Sequence, residues 1–305
     1  MARLQLTRDK VLFFPVTPFD GAGRVDAEVL AEHVSMRVAA GPAAVFAACG
    51  TGEFHALSAA EVAAVVTTAV AAAKGSVPVY CGAGGPLGHA VECARAAARA
   101  GAGGLLVMPP YLVGGRQDGL VAYVEAVAAA SDLDVIVYHR GSAQFTPAAV
   151  TRLLANPKVA GVKDGVGDVA LMQQFVVAAA QTGRHDAAFF NGLPTAELSQ
   201  ASYDAIGVPY YSSAVFAMAP EIATAFLAAL RTGDDGRRRA LLEGFYVPLV
   251  QLRDEAPGFA VALIKAGVRL GGLAAGAVRP PLTDPTPEQT ERLAALLDRG
   301  RALVA

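Results

Sequence analysis

Eight short apolar runs alternate along the chain with longer, Ala-rich amphipathic segments. The runs fall at residues 11–16 (VLFFPV), 44–49 (AVFAAC), 77–82 (VPVYCG), 104–108 (GLLVM), 134–139 (DVIVYH), 159–163 (VAGVK), 187–191 (AAFFN) and 205–211 (AIGVPYY). Most are continuous rather than alternating, as strands buried on both faces of a parallel sheet are. The segments between them carry helix starts. Ser58-Ala-Ala-Glu61 reads as a capping box, Thr146-Pro147 as a cap followed by proline, Pro220-Glu221 opens another helix, and Asp26 can cap the first. Glycines 41, 75, 101, 183 and 233 stand where helices end.

Eight repeats of strand then helix predict an α/β fold, a (β/α)8 TIM barrel. An open doubly wound sheet is the alternative. It is weakened because no G-x-G-x-x-G follows the first run. After the polar turn Thr232-Gly-Asp-Asp-Gly236 only helical patterns remain, at 237–255, 257–270 and 287–303. The division is therefore a barrel over 1–232 and a C-terminal helical extension over 233–305.

Composition narrows the function. The chain has 305 residues, which fits either two domains or one large barrel, and with 54% of them hydrophobic and 17% charged a disordered chain is excluded. A formal net charge of −2 argues against a nucleic-acid partner. The longest apolar stretches are interrupted by Glu, Lys or Gly well short of a membrane span. Residues 1–10 lack the apolar core of a secretory signal, and the three cysteines (49, 81, 93) form no C-x-x-C. A reduced, cytoplasmic protein is the simplest expectation.

In such a barrel the reactive groups gather at the C-terminal ends of the strands. Lys163, one of only five lysines, closes the sixth run. Burying an ammonium there favours its neutral form, and a neutral amine condenses with ketones. The plain alternative is a lysine reaching for water or pairing with Asp164, and the residues alone divide these evenly. Tyr138 ends the preceding run and should neighbour Lys163, where a phenol can shuttle the protons of imine formation. A lone tyrosine at that position is more often a packing residue. The turn Gly50-Thr51-Gly52-Glu53 offers backbone amides and a hydroxyl to an anion such as a carboxylate. The histidines and cysteines show no metal-ligand spacing. His55 and His139 fall near the mouth, where each is more often a solvated loop residue.

Taken together, these segments resemble the dihydrodipicolinate synthase / N-acetylneuraminate lyase superfamily of Schiff-base barrels. The resemblance runs through Pro15-Val-Thr-Pro18-Phe19, Gly50-Thr51-Gly52-Glu53, Pro110-Tyr111, Tyr138 and Gly161-Val162-Lys163-Asp164 in order. It implies Lys163 as the imine-forming lysine, Tyr138 as acid and base, and the Gly50-Thr51 turn as the keto-acid carboxylate site. Finer details resemble the 5-dehydro-4-deoxyglucarate dehydratase branch. These are Gly-Thr-Gly-Glu-Phe followed by Ala-Leu-Ser, Tyr138-His139-Arg140 with Ala143-Gln-Phe-Thr146, the run 163–168 (KDGVGD) and the run 207–216 (GVPYYSSAVF). The synthases usually carry two threonines in the turn, where this chain has Gly50 first. Cys49, His55 and His139 also depart from the branch pattern.

The resemblance implies a six-carbon keto sugar diacid as substrate, dehydrated and decarboxylated on one lysine imine with no metal or organic cofactor. Backbone near Pro209 would help hold the carboxylate beside the imine. Arg140, Ser212 and Ser213 would position the distal carboxylate or the hydroxyls, although Arg140 could instead pair with a carboxylate on the rim. Superfamily members usually form tetramers, as dimers of dimers, and Tyr111 aligns with a tyrosine that crosses to a neighbouring subunit's site. The rivals are a retro-aldolase of the same superfamily, a non-catalytic keto-acid sensor and a metal-dependent barrel hydrolase.

Overall fold

The computed structural model describes residues 6–305. The N-terminal reading above therefore rests partly on positions outside the described residues. The eight apolar runs become eight parallel strands: β1 (Leu12–Phe13), β2 (Ala44–Ala47), β3 (Val79–Ala83), β4 (Gly104–Val107), β5 (Asp134–His139), β6 (Val159–Asp164), β7 (Ala188–Asn191) and β8 (Tyr210–Ser213). They pair in chain order and close when Leu12 and Phe13 of β1 register with Ser212 and Ser213 of β8. The doubly wound alternative is thereby excluded.

The outer ring is α1 (Ala27–Ala39), α2 (Ala59–Ala73), α3 (Leu87–Arg99), α4 (Gln117–Ala129), α5 (Pro147–Leu154), α6 (Val169–Gln181), α7 (Gln200–Ala205), α8 (Val215–Met218) and α9 (Pro220–Thr232). The caps behave as their residue types require. Asp26 and Thr146 each accept an orphan amide of the following turn, and Ser58 with Glu61 forms a complete capping box. Gly233 closes α9 at φ 70°, a left-handed backbone that favours glycine.

The eighth run differs most from the sequence reading. Residues 205–206 end α7 instead of opening a strand, and Gly207 turns the chain at φ 87°. The eighth strand therefore starts only at Tyr210. Inside the barrel an aromatic stack crosses the first three strands, with Phe14 4.6 Å from Phe46 and Phe46 4.7 Å from Tyr80. The Tyr80 ring lies over β4 at Gly104, where a Cβ would come within 2.5 Å of Tyr80 Cε1. That contact accounts for glycine at the start of β4.

Beyond α9 the chain is helical, as its pattern predicts. α10 (Asp235–Leu241) and α11 (Val247–Arg253) are joined by one π-turn at Leu242–Tyr246, and α12 (Phe259–Leu270) and α13 (Pro287–Ala302) follow. α12 packs tightly on α8, since a Cβ at Gly267 would stand 2.3 Å from Met218 Sδ. Among the described residues, no helix is long and apolar enough to cross a membrane.

Candidate active site

A cavity of about 520 Å³ opens at the C-terminal ends of the strands. The barrel lines it with Phe14, Gly50, Thr51, His55, Tyr111, Tyr138, Arg140, Lys163, Gly192 and Ser212, and the extension adds Gly258, Ala260, Val261 and Leu282.

Lys163 and Tyr138 meet because consecutive strands are neighbours. The β5–β6 register sets them directly opposite one another. Both are almost fully buried, at 4% and 5% exposure. Lys163 Nζ stands 4.4 Å from the Tyr138 ring centroid and 4.6 Å from that of Phe14. Strand alternation turns the next residue the other way. Asp164 accepts the Val166 and Gly167 amides at 2.9 and 3.2 Å, and the Tyr203 hydroxyl donates to it. Its carboxylate is thus occupied behind the barrel wall. The lysine faces the cavity, so the pairing with Asp164 is not the one this fold makes.

The Tyr138 hydroxyl donates to the Gly192 carbonyl at 3.0 Å and accepts from Arg140 Nη1 at 2.8 Å. Burial alone would raise this phenol's pKa. The positive charges of Lys163 and then Arg140, with the Arg140 hydrogen bond, outweigh burial and hold it below the ordinary phenol value. Two glycines make room for this packing. A Cβ at Gly192 would stand 2.8 Å from Lys163 Cε and Cγ, and one at Gly165 would stand 2.8 Å from Tyr138 Cε2.

A buried lysine facing a phenol across adjacent strands at a barrel mouth suits amine addition to a carbonyl. The model of the dihydrodipicolinate synthetase family matches residues 7–299. The chain belongs to that family. Among curated proteins, it is 54% identical to the "Probable 5-dehydro-4-deoxyglucarate dehydratase 1" of Streptomyces coelicolor, across 96% of this chain and 93% of that protein. It is 52% identical to the protein of the same name from Streptomyces avermitilis, across 96% of this chain and 94% of that protein. Among solved structures, the dihydrodipicolinate synthase from Oceanobacillus iheyensis superposes with a TM-score of 0.87 at 25% identity, covering 96% of this chain and 97% of that one.

Most of the residues singled out in this synthetase-family chain reach the cavity: Lys163, Tyr138, Gly50, Thr51, Arg140, Tyr111 and Ser212. Two do not. Pro209 precedes β8 at its N-terminal end, opposite the mouth, and its carbonyl accepts from Arg231 Nη2 at 2.7 Å. The late start of β8 puts it there. Ser213 alternates with Ser212, turns outward, is fully buried and donates to Glu197. Arg140 meets the Tyr138 hydroxyl, and it forms no ion pair within 4.0 Å of a carboxylate among the described residues. His55 lines the cavity, whereas His139 packs edge-on against Phe175, with ring centroids 5.2 Å apart, and accepts the Phe145 amide at 2.9 Å. Tyr111 takes a left-handed φ of 65° and is partly exposed at the rim.

Several members of the site were not read from the sequence. Phe14 faces the lysine from β1's end, and the extension closes one side of the mouth. Behind the cavity lining, Glu53, at the end of the Gly50–Glu53 turn, is fully buried at φ 56° and accepts from Lys265 Nζ of α12 at 2.7 Å. Its second oxygen accepts the Arg279 amide at 2.8 Å. A lone lysine in the apolar run of α12 was the available signal, since such a group needs a buried partner.

Proposed function

We propose that this chain is a decarboxylating 5-dehydro-4-deoxyglucarate dehydratase of glucarate catabolism. The reading rests on Lys163 and Tyr138 standing in register inside the mouth cavity, and the names of its two Streptomyces relatives supply the substrate.

Lys163 attacks the C5 ketone, with Tyr138 relaying protons, and water leaves as the imine forms. The protonated imine is an electron sink. It acidifies C4, loss of that proton gives an enamine, and the enamine expels the C3 hydroxyl as water. The conjugated iminium then accepts the electrons of the C1–C2 bond, and CO2 departs. That leaves a dienamine with an enol at C2; protonation at carbon and ketonisation of the enol give the imine of the semialdehyde, and its hydrolysis by one water releases 2,5-dioxopentanoate and the free Lys163 amine. One covalent intermediate serves both eliminations, so the chemistry asks for no metal or organic cofactor.

The two carboxylates need different treatment. The C6 carboxylate sits beside the imine, within reach of the Gly50-Thr51 turn. The C1 carboxylate must leave, so a tight grip on its ground state would oppose the reaction. Arg140 and Ser212 position that end and its hydroxyls. We also infer a cytoplasmic enzyme assembled as a dimer of dimers.

Incubation with substrate and borohydride should give a covalent adduct at Lys163 by intact mass and peptide mapping. The untrapped reaction should release CO2 and the semialdehyde. An adduct accompanied by pyruvate instead of CO2 would indicate a retro-aldolase, and absence of any adduct would remove the imine mechanism.

A further inference from the structure

The Tyr138 hydroxyl is gripped by Arg140, and the grip is built into the fold. Arg140 Nη1 donates to it at 2.8 Å, and the guanidinium carbon lies 5.7 Å from the ring centroid. The Arg140 backbone is pinned by paired hydrogen bonds with Ala143, at 3.1 and 2.9 Å, across a turn in which Gly141 takes φ 56°. Gly165 lies against both side chains, since a Cβ there would come 3.0 Å from Arg140 Cδ and 3.0 Å from the Tyr138 hydroxyl. The phenol thus has two basic side chains against it, Lys163 beside its ring and Arg140 at its hydroxyl.

We propose that Arg140 is a positioning residue for proton transfer, holding and polarising the Tyr138 hydroxyl whether or not the substrate carries a second carboxylate. The inference rests on the imine reading above. The proton balance of that chemistry explains the need. The Lys163 lone pair forms the C–N bond while the carbonyl electrons move to oxygen. A proton passes from nitrogen to that oxygen through Tyr138. The phenol then gives its own proton to the departing hydroxyl, which leaves as water. What remains is an iminium and a Tyr138 phenolate. Arg140 stabilises that phenolate through a charge-assisted hydrogen bond. The phenolate is then the base that takes the proton from the carbon beside the imine, which regenerates the phenol.

Pyruvate separates this role from substrate gripping, because it has a ketone and a single carboxylate. Adduct formation with pyruvate and borohydride should be timed by intact mass between pH 6 and 9, for wild type, Arg140→Met and Arg140→Lys. The methionine variant should form the imine roughly 10²-fold more slowly near pH 7, the size of a general acid–base contribution. Its rate profile should also move to higher pH. Arg140→Lys restores a cation and should recover at least about tenfold of the loss, which lost packing alone would not predict. Should the methionine variant fail to fold by circular dichroism, Arg140→Gln, which keeps a donor without the charge, reads the same rate. Wild-type rates and an unmoved profile in the uncharged variants would overturn the proposal. A wild type that forms no adduct would instead overturn the imine reading itself.

Discussion

Replacing Lys265 with methionine should cost the protein about 3–5 kcal/mol of stability at neutral pH, the usual penalty for stranding one member of a buried pair. Glu53 and Lys265 are both without solvent exposure, and their charged atoms are 2.7 Å apart. Methionine keeps most of the apolar stem, so the loss comes from the charge. Glu53 retains the Arg279 amide at 2.8 Å, but one neutral donor does not replace a cation. Urea unfolding followed by circular dichroism at pH 7.5 measures this. The double variant Glu53→Gln/Lys265→Met, which removes both charges and keeps an acceptor for Arg279, should regain at least half the loss at pH 7.5. A single variant within about 1 kcal/mol of wild type at pH 7.5, or a double variant no better than the single, would refute the argument.

Gly192→Ala should slow borohydride-trapped adduct formation by roughly 10²-fold, because the new Cβ would stand 2.6 Å from the Asp164 backbone oxygen and 2.8 Å from Lys163 Cε, so that the strand end and the amine must both shift; an unchanged rate in a variant that folds by circular dichroism would show that the site yields without the lysine losing its aim. His33 is fully buried in α1, neither ring nitrogen has a hydrogen-bond partner among the described residues, and burial, reinforced by the charge of Arg37, pushes its pKa down to about 3. The unfolded chain takes up this proton below about pH 6.5 while the folded chain stays neutral, so stability drains away as pH falls from there towards 3. His33→Leu should therefore flatten the stability profile by about 2 kcal/mol between pH 7 and 5, at about 1.4 kcal/mol per unit, and parallel profiles for the two proteins would exclude this account.

What the chain's own pattern determined was the order of elements and the place of Lys163 beside Tyr138. Continuous apolar runs, short and rich in β-branched residues, read as strands covered on both faces, and helix caps such as Ser58 and Thr146 act over three residues, so both were legible locally. Lys163 opposite Tyr138 followed as well, because adjacent strand ends become neighbours once the barrel closes. The same continuous runs hid which residues face inward. With both faces apolar there is no alternation to mark the inner one, so Lys163 against Asp164, and Ser212 against Ser213, were decided only when the strands took their register. Pro209 was assigned to the wrong end for a related reason, since its place depends on where β8 begins, and the turn at Gly207 decides that. Glu53 and Lys265 lie 212 residues apart. No periodicity links positions so distant, and only the packing of α12 across the barrel mouth brings the two charges together.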